Sequence, residues 1–203
     1  NYLIDSLLSL STAGVQGDMN QDLQKVRLMV ALSGNGLVSE QGFQALASIA
    51  DNQDESSNVR NNALINLGST LEQLKNQGLD SASLQEQLSA TVSDALSSDN
   101  SSSAILAAGN AKLDNLDTQI ASKLNSSNSK ERYAAASVLA RNPEHYDELI
   151  QHISLEQSDL VNYAILTNLD ATQLTGQQKD DLRDMASNTS ADISKVILQL
   201  IDK

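Results

Sequence analysis

Ser102-Ser-Ala-Ile-Leu-Ala-Ala-Gly-Asn-Ala111 returns as Glu131-Arg-Tyr-Ala-Ala-Ala-Ser-Val-Leu-Ala140 and again as Val161-Asn-Tyr-Ala-Ile-Leu-Thr-Asn-Leu-Asp170. Each copy places one small or branched apolar residue four positions before another: Ala104 and Ala108, Ala135 and Leu139, Ile165 and Leu169. Four residues make about one helical turn, so both members of each pair fall on one stripe that is buried together. Outward from these copies the same position recurs at Leu32, Leu67, Ala108, Leu139, Leu169 and Leu200, at steps of between 30 and 41 residues. A step of that length holds two helices, and repeated helix pairs hide their apolar faces by stacking on their neighbours.

Helical spacing extends this reading along the chain. It predicts helices over Tyr2 to Leu10, about Gln21 to Ser33, Glu40 to Ala50, and Val59 to Leu67 with an extension toward Gln77. Further helices are expected from Ser83 to Leu96, Ala104 to Lys112, Asp117 to Leu124 and from Asn128 to a stop at Pro143. The last four cover Tyr146 to Ile153, Asp159 to Leu169, Thr175 to Ala186 and Ala191 to Ile201. Ser83 with Glu86, Asn128 with Glu131 and Thr175 with Gln178 have capping-box spacing. Ser11 to Gly17, Ser33-Gly-Asn-Gly36, Asp51 to Asn58 and Ser97 to Ser103 read as turns or loops. No segment sustains the alternation of a strand.

The expectation is an all-α chain, a right-handed α-α superhelix (solenoid or horseshoe) of about six helix pairs. The irregular period and the Ala-x-x-x-Leu second helices resemble HEAT repeats. The fixed 34-residue period and Trp signposts of tetratricopeptide repeats, and the Thr-Pro-Leu-His signature of ankyrin repeats, are missing. Residues 1–203 read as a single solenoid domain. The sequence starts without Met in an apolar helix and stops in another, where solenoids carry polar capping repeats, so we expect a domain excised from a larger protein.

A narrower likeness covers Gln21 to Leu169. Asn58-Val-Arg-Asn-Asn-Ala-Leu-Ile-Asn-Leu-Gly-Ser69, Ala104 to Asp114, Ile120-Ala-Ser-Lys-Leu124, Lys130 to Arg141, Leu149-Ile and Leu160-Val-Asn-Tyr-Ala-Ile-Leu166 resemble the helical amino-terminal (vitellogenin-type) domain of the large lipid transfer proteins. That resemblance implies a two-layered, non-catalytic horseshoe that wraps a lipid-binding β-sheet and contacts partner proteins, in a secreted, periplasmic or cell-surface setting. The chain departs from the family in having no cysteine, few aromatics and no accompanying sheet region.

Composition narrows the function classes. Aromatics make up only 2% of the chain against 40% hydrophobic residues overall, so Leu, Ala, Ile and Val pack the core, which suits stacked helices better than sheets. A net charge of -13 repels phosphate backbones, and nucleic acid is not an expected partner. Zero cysteines exclude disulfides and thiolate chemistry. No apolar run approaches the roughly 20 residues of a membrane span.

Candidate chemistry is thin. His145 and His152 lie seven apart with Glu148 between them, whereas metal-binding helices set histidines four apart, so both read as structural or solvated. Asp18-Met-Asn-Gln-Asp22 opens like an EF-hand loop, but Leu23 and Met29 stand where Gly and Glu are needed. Gly34 and Gly36 lead into no strand-helix unit, and no nucleophile, base and orienting group can be named together, so no enzyme, metal or cofactor is expected. Sequons at Asn100, Asn125 and Asn188 are what an Asn- and Ser-rich chain contains by chance. One pattern points to a partner. Opposite the Ala/Leu stripe stand Val26 and Val30, Asn61 and Ile65, Ser102 and Leu106, Tyr133 and Ser137, Tyr163 and Thr167, and Ser194 and Leu198, without a charge among them. Val30, Asn61, Ile65, Leu106, Tyr133, Tyr163 and Thr167 are therefore the candidate contact residues, for a protein, a neighbouring domain, or lipid through an adjoining domain. The competing reading is that these positions touch neighbouring helices.

Overall fold

A computed structural model describes residues 2–13, 19–34, 38–79, 81–97 and 101–202. Among them lie twelve α-helices and no strand: α1 Tyr2–Ala13, α2 Met19–Ser33, α3 Glu40–Asp51, α4 Ser57–Asn76, α5 Ala82–Leu96, α6 Ser102–Ala111, α7 Asp117–Ser122, α8 Ser129–Leu139, α9 Tyr146–Ile153, α10 Asp159–Asn168, α11 Gly176–Ala186 and α12 Ala191–Ile201. The protein is all-α. It divides into two compact units, Asn1–Leu116 and Asp117–Lys203.

Side-chain caps set several helix starts. Ser39, Ser56 and Ser190 accept the amides of Gly42, Val59 and Ile193, and Thr175 with Gln178 forms a full capping box on α11. Asn128 caps α8 through the Lys130 amide at 3.0 Å. The box expected at Ser83 and Glu86 is absent: Ser83 lies inside α5, whose N-cap is Ser81. Leu84 is buried together with Leu88, so packing holds that first turn helical without a side-chain cap. The stop expected at Pro143 comes earlier, at Leu139, and Pro143 opens a 3-10 turn to His145. Helix α1 runs on through Ser11, where a turn was expected, and the Ser11 hydroxyl donates to Glu55. Helix α6 begins at Ser102 and ends before Lys112, a non-glycine residue at φ 53. Residues 14–17, 35–36 and 98–100 of the expected turns, and Asp18, lie outside the described residues.

In the first unit α4 packs between α2 and α6, α1 packs on α2 and α3, α3 on α4, and α5 on α6 and α4. The α4–α6 seam is unusually close: a Cβ on Gly68 would stand 2.2 Å from the carbonyl oxygen of Ala107. Ala104, Ala107, Ala108 and Ala111 line the α6 side of this core and are all buried. In the second unit α10 packs between α8 and α12, α7 packs on α8, α11 on α12, and α9 on both α10 and α11. Leu32, Leu67 and Ala108 in one unit, and Leu139, Leu169 and Leu200 in the other, are all buried, each leucine contributing about 1.5–3 kcal/mol of transfer free energy. Tyr146 is 1% exposed, and its hydroxyl accepts the Asp170 amide at 2.9 Å.

Candidate interaction face

The second unit places the expected contact residues Tyr133, Tyr163 and Thr167 on α8 and α10, and the row position Leu198 on α12, three helices packed in series. Tyr133 on α8 is 40% exposed, Tyr163 on α10 52% and Leu198 on α12 43%. The two tyrosines occupy the same register position, one 30-residue step apart. Four residues after each tyrosine comes a hydroxyl that is used locally: Ser137 donates to the Tyr133 carbonyl at 2.8 Å and Thr167 to the Tyr163 carbonyl at 2.7 Å. Such back-bonding satisfies those hydroxyls within their own helices. The tyrosine hydroxyls are the polar atoms that the two positions offer outward. Ser137 itself is buried, so the expected row is broken there, whereas Thr167 is exposed and Ser194 half-buried. Leu160, 64% exposed and three residues ahead of Tyr163, belongs to the same side of α10 and was not expected. Its signal was its i−3 spacing from Tyr163.

In the first unit the corresponding positions are less uniform. Val30 on α2 is 56% exposed, Val26 on α2, Ile65 on α4 and Ser102 and Leu106 on α6 are half-buried, and Asn61 lines a cavity between helix ends. Leu23, at i−7 from Val30, is also about half exposed. The buried side of α2 carries Lys25, Met29, Leu32 and Ser33 instead.

Charge borders the face in the second unit. Arg132, the residue before Tyr133, forms a fork on Glu156, with Nε to Oε2 at 2.7 Å and Nη2 to Oε1 at 3.1 Å, and its Nη1 donates to the Ser126 carbonyl at 2.8 Å. Glu156 also accepts the Ser158 amide at 2.8 Å and lies 3.3 Å from His152 Nε2. Burial alone would push the Glu156 carboxyl up. The Arg132 and Ser158 hydrogen bonds, the guanidinium charge and the His152 contact together outweigh it and hold the carboxyl below its ordinary value. The same hydrogen bond, set against burial and helped by the carboxylate charge, raises the Arg132 guanidinium further. The network ties the start of α8 to the α9–α10 connection and so fixes the backbone that presents Tyr133.

The two histidines do not converge. His145 Nε2 lies 2.9 Å from Asp117, while His152 faces Glu156. Among the described residues no group of three His, Asp or Glu side chains is placed to hold a metal ion. No described helix is long and apolar enough to cross a membrane. Asn125 and Asn188 are exposed, and Asn100 lies outside the described residues. No protein-family model matches the chain, and neither the curated proteins nor the solved structures with which it was compared yield a match.

Proposed function

We propose that the chain is a HEAT-like α-solenoid module without catalytic activity that holds a protein partner or a neighbouring domain. The observation that carries this reading is the exposure of Tyr133, Leu160, Tyr163 and Leu198 on α8, α10 and α12, three helices packed in series. Tyrosine supplies large contact area and a polar handle, and it is enriched among the residues that dominate binding energy. The solenoid part of the reading is supported by the serial packing inside each unit and by the recurring buried position at Leu139, Leu169 and Leu200. The helical domain of a lipid transfer protein is the second reading, favoured by the exposure of Leu23 and Val30 on α2. The exposed Tyr133, Tyr163 and Thr167 on α8 and α10, with their hydroxyls, favour a protein surface over a lipid strip.

The test is photo-crosslinking in the native host with a benzophenone side chain at position 163 and, as control, at exposed Asp181 on α11. A discrete adduct from 163 but not from 181, weakened at least tenfold by Tyr133→Ala, is expected; tenfold corresponds to about 1.4 kcal/mol. Equal labelling at both positions would remove the face. Native mass spectrometry of gently purified protein that finds bound lipid would favour the second reading.

A further inference from the structure

We propose that the row across α8, α10 and α12 binds a proline-rich segment of a partner protein in the polyproline II conformation, with prolines seated on Tyr133 and Tyr163. The inference rests on the interaction-face reading above and names the chemistry of the occupant. Tyr133 and Tyr163 hold the same register position on packed helices, one 30-residue step apart, and both side chains are open to solvent. Packed helix axes lie about 8–10 Å apart, so the two rings recur across the row at about that interval. A polyproline II chain rises about 3.1 Å per residue with three residues per turn, and so repeats one edge every ~9.3 Å. Residues i and i+3 of such a segment therefore meet successive tyrosines, and the next turn reaches Leu198 on α12.

Other backbone conformations fit the row less well. A β-strand turns residues i and i+3 to opposite faces, so only one of them would meet a tyrosine. A helix can set residues i and i+7 about 10.5 Å apart, but it spends its carbonyls on its own hydrogen bonds. The row needs acceptors: the Tyr133 and Tyr163 hydroxyls bond to no described residue, while Ser137 and Thr167 spend theirs on the carbonyls of their own helices. Polyproline II has no internal hydrogen bonds and leaves every carbonyl free to accept from a tyrosine hydroxyl. A segment that proline already holds in this conformation also loses less entropy on docking.

Charge points to a mostly neutral occupant. Tyr133, Leu160, Tyr163, Thr167, Ser194 and Leu198 carry no charge, in a chain whose net charge is -13. The exposed Lys130, three residues before Tyr133, forms no ion pair among the described residues and offers a cation to one acidic residue at the α8 end of the segment. The 203 residues contain a single proline, Pro143, so a second copy of them cannot supply a proline-rich segment. The occupant is a different chain.

Isothermal calorimetry on the whole chain tests this with acetylated nonaproline carrying one glutamate at either end as probes. An alanine-rich helical peptide and a glycine-serine peptide of the same length are the controls. We expect saturable binding of at least one proline probe, roughly tenfold or more tighter than either control and weakened by about the same factor in Tyr133→Ala and in Tyr163→Ala. Tyr163→Phe, which keeps the ring and removes the hydroxyl, should weaken it about threefold. Both side chains are exposed, so these variants should keep the circular dichroism of the parent. No saturable heat from either proline probe, a control binding as tightly, or full affinity in both alanine variants would each overturn the proposal. The crosslink at position 163 separates this inference from the reading on which it rests. An adduct whose contacted segment holds no proline sinks the inference and keeps the interaction face, whereas labelling no stronger at 163 than at 181 removes both.

Discussion

The unit Asn1–Leu116 contains an ion pair and a helix seam sealed from water, whereas the ion pairs at Arg132 and His145 in the unit Asp117–Lys203 are partly open to it. In the first, Lys25 Nζ meets Glu55 Oε2 at 2.7 Å with the two side chains 6% and 3% exposed, and Gly68 lets α6 approach α4 at backbone distance. In the second, Arg132 is 19% exposed in its fork on Glu156, and His145 and Asp117 are 18% and 22% exposed in theirs. Sealed links depend on the identity and volume of each partner, because nothing can replace a lost one. Reachable links are screened and answer to pH. The unit with the partly open network is also the one that presents Tyr133 and Tyr163 in register.

The largest effect should come from the sealed ion pair. Glu55→Ala leaves the Lys25 ammonium buried without a counter-charge and should cost the first unit about 3–5 kcal/mol. Hydrogen exchange of α2 and α4 amides under mild urea measures this without interference from the second unit. Lys25→Met with Glu55→Leu should recover most of that loss, since a well-packed apolar pair replaces a buried charge pair at little net cost. A single variant as stable as the parent would contradict the sealed character of the pair.

A smaller loss is expected at the α4–α6 seam. Gly68→Ala should destabilise by about 1–3 kcal/mol, because its methyl group would meet a backbone carbonyl that cannot rotate away. It should do so despite the advantage of about 1 kcal/mol that Ala has over Gly in a helix. Gly176→Ala in the second unit is the matched control, for a Cβ there meets nothing within 4 Å. If both variants unfold at the same urea concentration as the parent, the close approach is wrong.

These sites show where sequence reading ran short. The α11 box, the α9 and α12 boundaries and the buried Ala/Leu position were legible because caps and one-turn spacing are local signals. Lys25 was not: on a polar-looking stretch of α2 nothing marks a lysine for burial, and its partner sits 30 residues away in a loop. Gly68 lies in the stretch that resembles the lipid-transfer helical domain, but its purpose depends on Ala107 of another helix. Ser83 and Glu86 matched a capping pattern one residue inside a helix already begun at Ala82, because the pattern ignores the packing of Leu84. The outward tyrosines were legible from their shared register. Leu160 was missed because a leucine in a helical pattern is assigned to the core by default.

The mildest expected change is the one that tests whether the second unit's polar links respond to pH. Glu156 is held below the ordinary carboxylate value of about 4.3, so the folded form gains from its ionisation, and that gain is fully present above this value. It should disappear as the pH falls through the lowered folded value. In Arg132→Gln the fork is gone while the Ser158 amide and His152 still face a carboxylate that is 2% exposed, so burial is opposed less and the carboxyl is lowered less. The dependence should flatten: the variant loses about 1 kcal/mol near pH 7, a partly exposed fork being worth no more, and its difference from the parent shrinks on acidification. Hydrogen exchange of α8 and α10 amides at pH 7, 5 and 3.5 reads both slopes, with Lys25→Met in the first unit leaving these amides unchanged. Parallel slopes for parent and variant would mean that Arg132 does not control Glu156, and that the start of α8 is positioned by packing alone.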